Sequence, residues 1–192
     1  MNLKSKLYLI LPILLLAACK EQPSPRPADC VYPDAPDQVA PGWVCDEPIP
    51  GVELSAIGFS TKSAAGASFM KQMATADARV QLAQTFKVHV SNMVKQYAEV
   101  TGAADTETVD KVNTSVSKLI TSESLVGSRL FKSKTSPSGG MYVIVGLDSA
   151  NVQKAAKDSL KTSMNNDAAL WQQFKAKKGQ DELAAEISSL KQ

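Results

Sequence analysis

The stretch Leu7 to Cys19, LYLILPILLLAAC, restricts the rest of this chain more than any other. Lys4 and Lys6 precede it, so a basic start leads into an apolar run that ends in small residues, the layout of a secretory signal. The run is too short to cross a bilayer as a helix, which takes about 20 residues, and Pro12 interrupts it. Leu16-Ala17-Ala18-Cys19 has the form of a bacterial lipobox, in which the cysteine is acylated and the chain is cut just before it. The rival is an ordinary signal peptide cut elsewhere, or a short uncleaved anchor. On the lipobox reading residues 1–18 are the signal peptide, Cys19 is the lipidation site carrying palmitate-like acyl chains, and the mature chain is tied to a membrane. Two lipid chains already give stable anchoring. Lys20, rather than Asp, after the cysteine points to the outer membrane, with the domain in the periplasm or at the cell surface.

That compartment assigns the other two cysteines. With Cys19 lipidated, Cys30 and Cys45 remain as one pair in an oxidising periplasm, where disulfides persist. A bond between them closes a loop worth roughly 3 kcal/mol in the chain-entropy model. Free or metal-bound thiols are the alternative, but the spacing lacks a C-x-x-C partner and no histidine lies nearby to complete a zinc site. Eight of the ten prolines fall between Lys20 and Gly51. Proline fixes φ and favours extended polyproline geometry, so residues 19–51 read as a lipidated tether, its middle gathered by the disulfide around Tyr32 and Trp43. The full chain has a formal charge of +2, and loss of Lys4 and Lys6 leaves cations and acids in balance. Neither half carries the dense basic stripe that a phosphate backbone requires, which excludes nucleic acid as a partner.

Beyond the tether the periodicities predict an α+β domain over 52–148 and C-terminal helices over 149–192. VELSAIGFS, from Val52 to Ser60, alternates as a strand, with Gly58 marking a close approach or a bulge. Ser63 to Phe86 predicts a helix whose apolar face is Phe69, Met73, Ala76, Val80 and Ala83, widened by Leu82 and Phe86 and capped by Ser63 or Ser68. From Phe86 to Val100 the period changes to two, which predicts a long half-buried strand; Met93 and Tyr97 fall on its polar side, so a continued helix is the rival. A helix over Asp105–Thr121 follows, then strands over Leu125–Lys134 and Met141–Leu147. TSPSGG joins these two as a hairpin turn. The expected fold is a small antiparallel sheet of about four strands packed on a long helix, MYVIVGL being its most buried strand. Ser149 opens the helical region, with a break at Asn165-Asn166-Asp167, a helix end at Lys175, Lys177, Lys178 and Gly179, and a last amphipathic helix, DELAAEISSLK.

Ala56-Ile57-Gly58, Ala76-Asp77-Ala78-Arg79 with Leu82-Ala83, and Tyr142-Val143-Ile144-Val145-Gly146-Leu147 resemble the Lpp-twenty family of bacterial lipoproteins. The resemblance covers roughly Val52 to Asp148. It implies a small antiparallel sheet packed on helices and brings no catalytic residues. Relatives include outer-membrane lipoproteins associated with the flagellum.

Catalytic groupings are not evident. His89 is the only histidine, and alternation places it on a polar, solvated face without a partner nucleophile. Ser136, Ser138 and Gly139-Gly140 lack the strand–glycine–lysine–helix order of a phosphate loop. Arg79 reads either as a semi-buried side chain joining helix to sheet or as a snorkelling surface residue, and the family motif favours the structural role. No cofactor or metal is expected. The sequence supports a non-enzymatic lipoprotein that presents an interaction domain to an envelope protein or to copies of itself, a flagellum-associated component being one version. The alternative is a lipoprotein that binds or regulates the cell wall, peptidoglycan or its synthases.

Overall fold

The computed structural model describes residues 30–122, 124–174 and 180–190. The lipobox with Cys19 and the helix end at residues 175–179 lie outside them. The chain begins with a short ribbon, β1 (Val31–Tyr32) against β2 (Ala35–Val39), followed by a 3-10 turn at Gly42–Cys45. β3 (Leu54–Ser60) leads into α1 (Ala67–Thr101) and α2 (Thr106–Leu119). β4 (Arg129–Thr135) and β5 (Met141–Leu147) form a hairpin, and α3 (Ser149–Asn166), α4 (Ala168–Gln173) and α5 (Gln180–Ser189) complete the fold. The α+β architecture expected from the sequence is therefore present, as a three-stranded sheet and a two-stranded ribbon with a long helix and a C-terminal helical region.

β5 is central, with β3 and β4 antiparallel on either side of it. All seven of its residues are buried, as MYVIVGL predicts. A strand with no exposed face needs cover on both sides. Met141, Val143, Val145 and Leu147 face the main core under α1, while Tyr142 and Ile144 belong to a second cluster with Tyr32, Trp43 and Val44. That second cover corrects the extent of the tether. Residues 30–45, expected as a spacer carrying a local loop, are folded onto the outer face of the sheet, because the aromatic rings there bury apolar surface that a free spacer would leave wet.

The strand expected over Phe86–Val100 is the second correction. α1 runs unbroken through it, 35 residues in all. Phe86, Val90, Met93, Val94, Tyr97 and Ala98 are buried at helical spacing, whereas Val88 and Val100, which alternation would bury, are exposed. Val90 and Val94 belong to both patterns, and only the helix buries Met93 and Tyr97. The start of α1 also differs from expectation. Its N-cap is Gly66, at φ 90°, with no side-chain cap from Ser63 or Ser68. Its end is a left-handed Gly102 whose N–H donates to the Ala98 carbonyl. The carboxylates of Asp105 and Asp148 cap α2 and α3, accepting from the N–H groups of Thr108 and Asn151.

The C-terminal helices close the other end of the core. Leu183, Ala184 and Ile187 of α5 are buried with Leu160 and Met164 of α3, so the last amphipathic stripe packs inside the molecule. Trp171 of α4 donates its indole N–H to the buried Ser163 hydroxyl at 3.0 Å, and Ser163 in turn meets Ser115 of α2 at 2.8 Å. A polar thread thus joins α2, α3 and α4 where Asn165-Asn166-Asp167 interrupts the helix.

Candidate interaction surface

The helix–sheet contact determines which side of α1 is left open. Gly58 of β3 lies against α1 so closely that a Cβ there would stand 2.0 Å from the Ala74 carbonyl oxygen and 2.4 Å from the Ala78 nitrogen. Its pairing with Val143 continues the β3–β5 register without a bulge, so the glycine serves close approach. Only small residues fit opposite it, and the sheet-facing side of the first turns is Met70, Ala74, Ala78 and Leu82. The expected apolar face is mostly elsewhere. Leu82, Ala83 and Phe86 are buried, but Phe69, Met73 and Val80 remain 44–51 % exposed. With Ala76, also exposed, they follow one another at three- and four-residue steps and form a stripe along the first half of the helix.

Beside this stripe the loop before β4 builds a groove of about 590 Å³, lined by Ala76, Arg79 and Val80 from α1 and by Leu125, Val126 and Gly127. Leu125 is anchored in the core, and Val126 next to it is 73 % exposed. Serine and threonine shape the loop: Ser124 and Thr121 exchange backbone and hydroxyl hydrogen bonds across three residues. Among the described residues the groove thus has largely apolar walls, two serines and one cation, Arg79.

Arg79 does not join helix to sheet. It is exposed, and it makes no hydrogen bond or ion pair among the described residues. The physical reason is its place one residue beyond Ala78, turned away from the strand. Its neighbour Asp77 makes the connection instead, accepting from the Phe59 N–H of edge strand β3 at 3.0 Å. The Ala76-Asp77-Ala78-Arg79 motif therefore divides its labour: Ala78 packs, Asp77 ties, and Ala76 and Arg79 face the groove.

On the opposite face of the sheet the Sγ atoms of Cys30 and Cys45 stand at bonding distance, 2.15 Å, with Cα atoms 5.8 Å apart. Asp34, between β1 and β2, reaches the β4–β5 turn. The Ser136 hydroxyl donates to it at 2.6 Å and the Tyr142 hydroxyl at 3.0 Å, and Ser138 donates as well. Partial burial works to raise the Asp34 carboxyl, but these three hydroxyls outweigh it and hold the group below the usual carboxylate range. Burial, and then the hydrogen bond to Asp34 and its charge, push Tyr142 up to about 12. TSPSGG is a hairpin turn, as expected, and its serines grip an acid that the sequence separates from them by about a hundred residues. No local signal could have paired them.

His89 sits on α1, half-buried, rather than on the polar face of a strand. Its ring stacks near Phe86, with centroids 6.4 Å apart. Burial lowers its pKa, against the opposing pull of Glu53. Glu53, Ser149, Ser188 and Ser189 line the same cleft as His89, which hydrogen-bonds to none of them among the described residues, and among those residues no group of three His, Cys, Asp or Glu side chains is placed to hold a metal ion. Among the same residues no helix is long and apolar enough to cross a membrane.

Fold and surface together define an α+β domain in which a long helix lies on a small antiparallel sheet and keeps one side open. Residues 41–148 match the model of the LPP20 lipoprotein family, a span that takes in the sheet, α1 and α2 and more than half of the chain. The chain belongs to the LPP20 lipoprotein family, which is outer-membrane and lipid-anchored. A comparison with curated proteins finds no match.

Proposed function

We propose that the chain is anchored through lipid on Cys19 and presents the open side of α1 to a protein partner in the cell envelope. The observation that carries this reading is the stripe Phe69, Met73, Ala76 and Val80 beside the Arg79 groove. A contiguous apolar stripe on a soluble face, rimmed by polar residues, marks an interaction site. An arginine beside aromatic and methionine side chains is the composition that interface centres favour. The Cys30–Cys45 bond, formed in the periplasm, secures the outer cover of the sheet, and the reach of the anchor is set by the residues before Cys30. The finer reading, a component of a flagellum-associated assembly, rests on the family resemblance.

The test is site-specific photo-cross-linking in the native envelope. A photoreactive residue at Met73 or Val80 is expected to capture a defined partner, while one at Lys154, on α3, captures none. Equal capture from both faces would remove the reading. Loss of motility on deletion supports the flagellar version, and normal motility argues against it. Fatty acid labelling that disappears in Cys19→Ser, and the absence of free thiols in the unreduced, denatured protein, test the anchor and the disulfide separately.

A further inference from the structure

The two sides of α1 differ in spacing as well as in exposure. The row that meets the sheet, Met70, Ala74, Ala78 and Leu82, advances by four residues throughout. The open row, Phe69, Met73, Ala76 and Val80, advances by four, three and four. At 3.6 residues per turn the open row falls within about 60° of itself and roughly 150° around the helix from the buried one. Alternating steps of three and four make the seam of a helix pair, in which each side chain of one helix fits between four of the other. The flanks of the seam differ in charge. On one side stand Gln72 and Arg79, and Arg79 makes no hydrogen bond or ion pair among the described residues. On the other stand Met70, which is buried, and Asp77, whose carboxylate is taken by the Phe59 N–H at 3.0 Å. The charge left without a partner beside the seam is therefore positive.

We propose that the occupant of this face is an amphipathic α-helix of another protein, packed along residues 69–80 with a carboxylate opposite Arg79. The inference rests on the reading of this face as a protein contact and specifies what that protein presents. The stripe is about 16 Å long, so roughly three turns of the incoming helix lie against it, crossing at about 20° as three–four seams do. The interior of a helix offers a partner side chains only, because its backbone groups bond along the helix. A strand or loop laid there would bury its own N–H and C=O groups unpaired, whereas a helix arrives with them satisfied. The stripe is convex, unlike the concave sites that small molecules use. Val126, exposed at the rim of the Arg79 groove, gives the incoming helix an apolar contact beyond the seam. A second copy of α1 is the poorer occupant, since its own flanks repeat Gln72 and Arg79 on one side and the Asp77 held by Phe59 on the other.

The experiment is fluorescence anisotropy of designed peptides titrated with the full lipoprotein in lipid nanodiscs, empty nanodiscs being the blank. The probes are a helix with leucine at its seam positions and glutamate on its flanks, the same helix with lysine on its flanks, and the glutamate peptide broken by central prolines. The glutamate helix is expected to bind saturably and about tenfold more tightly than the lysine helix, the gap narrowing as salt rises. Arg79→Glu is expected to reverse that order and Met73→Asp to abolish binding, both with unchanged melting temperatures because both side chains are exposed. Equal binding of the two helices, binding of the proline peptide, no binding, or a protein dimer that Met73→Asp dissolves overturns the proposal. So does protection of Met73→Cys from maleimide in the nanodisc before any peptide is added, which makes lipid the cover. In the native envelope, the partner segment cross-linked to position 73 is expected to show apolar residues at three–four spacing beside an acid. Capture through a segment without that pattern overturns this inference and leaves the protein-contact reading standing; no capture at all removes both.

Discussion

At the scale of single residues, the most informative side chains are those that join segments far apart in sequence. Asp34 collects three hydroxyls and fastens the Cys30–Cys45 loop to the β4–β5 turn. Asp34→Ala is expected to destabilise the protein by about 2 kcal/mol, the range for hydrogen bonds to a charged acceptor, read as a lower denaturant midpoint. An unchanged midpoint would show the network to be ornamental. His89 gives the pH dependence its sign. Its folded pKa lies below the unfolded value of about 6.5, because burial disfavours the cation. Between the two values the unfolded chain binds more protons, so this contribution to stability is complete above pH 6.5 and is lost as pH falls. Thermal melts at pH 7.5 and 5.5 should show a decrease that His89→Gln reduces; an equal decrease in both proteins would assign the effect to other groups. Arg79→Ala and Lys71→Ala should have similar melting temperatures, since Arg79 has no partner to lose among the described residues. A larger loss at Arg79 would reinstate it as the helix–sheet tie.

At the scale of elements, α1 shows both what can be read from the chain and where reading fails. The hairpin at TSPSGG, the interruption at Asn165-Asn166-Asp167 and the buried run MYVIVGL all depend on local chemistry, and the sequence shows each of them. The buried side of α1 depends on the shape of its partner. Gly58 lets the helix approach so closely that alanine, not the larger Phe69 or Met73, fits against the strand. The more hydrophobic stripe was therefore the wrong choice for the core, and hydrophobicity alone cannot make that distinction. The strand expected over Phe86–Val100 failed for a related reason. Val90 and Val94 satisfy both periods, and tertiary burial of Met93 and Tyr97, with Val88 and Val100 left exposed, selects the helix. Gly58→Ala is expected to destabilise by about 2 to 3 kcal/mol through overpacking against the Ala74 and Ala78 backbone, measured by chemical denaturation; a neutral result would mean that helix and sheet can part at small cost. Val88→Ala should leave stability unchanged or raise it slightly, because Val88 is exposed on a helix where alanine is the better former. A loss typical of a core valine would restore the strand.

At the scale of the molecule, the sheet is a partition between two unequal clusters. On one side α1 and the C-terminal helices make the main core; on the other the cysteine loop makes a small aromatic lid. The sequence shows a loop gathered around Tyr32 and Trp43 but not its docking on the sheet, because prolines dominate residues 20–51 and no local signal pairs those rings with Tyr142 and Ile144. The candidate surface was equally hidden, since an interaction stripe and a core stripe look identical until a partner element is placed. The family match and the open side of α1 support the proposed reading, a lipid-tied domain whose exposed helix face meets another protein.

Maleimide labelling of Met73→Cys tests that claim most directly. The cysteine is expected to react fully in the purified domain, where the stripe is open, and to be protected in the native envelope, where a partner covers it. An unreactive cysteine in the purified protein, or equal reactivity in both settings, would contradict the account.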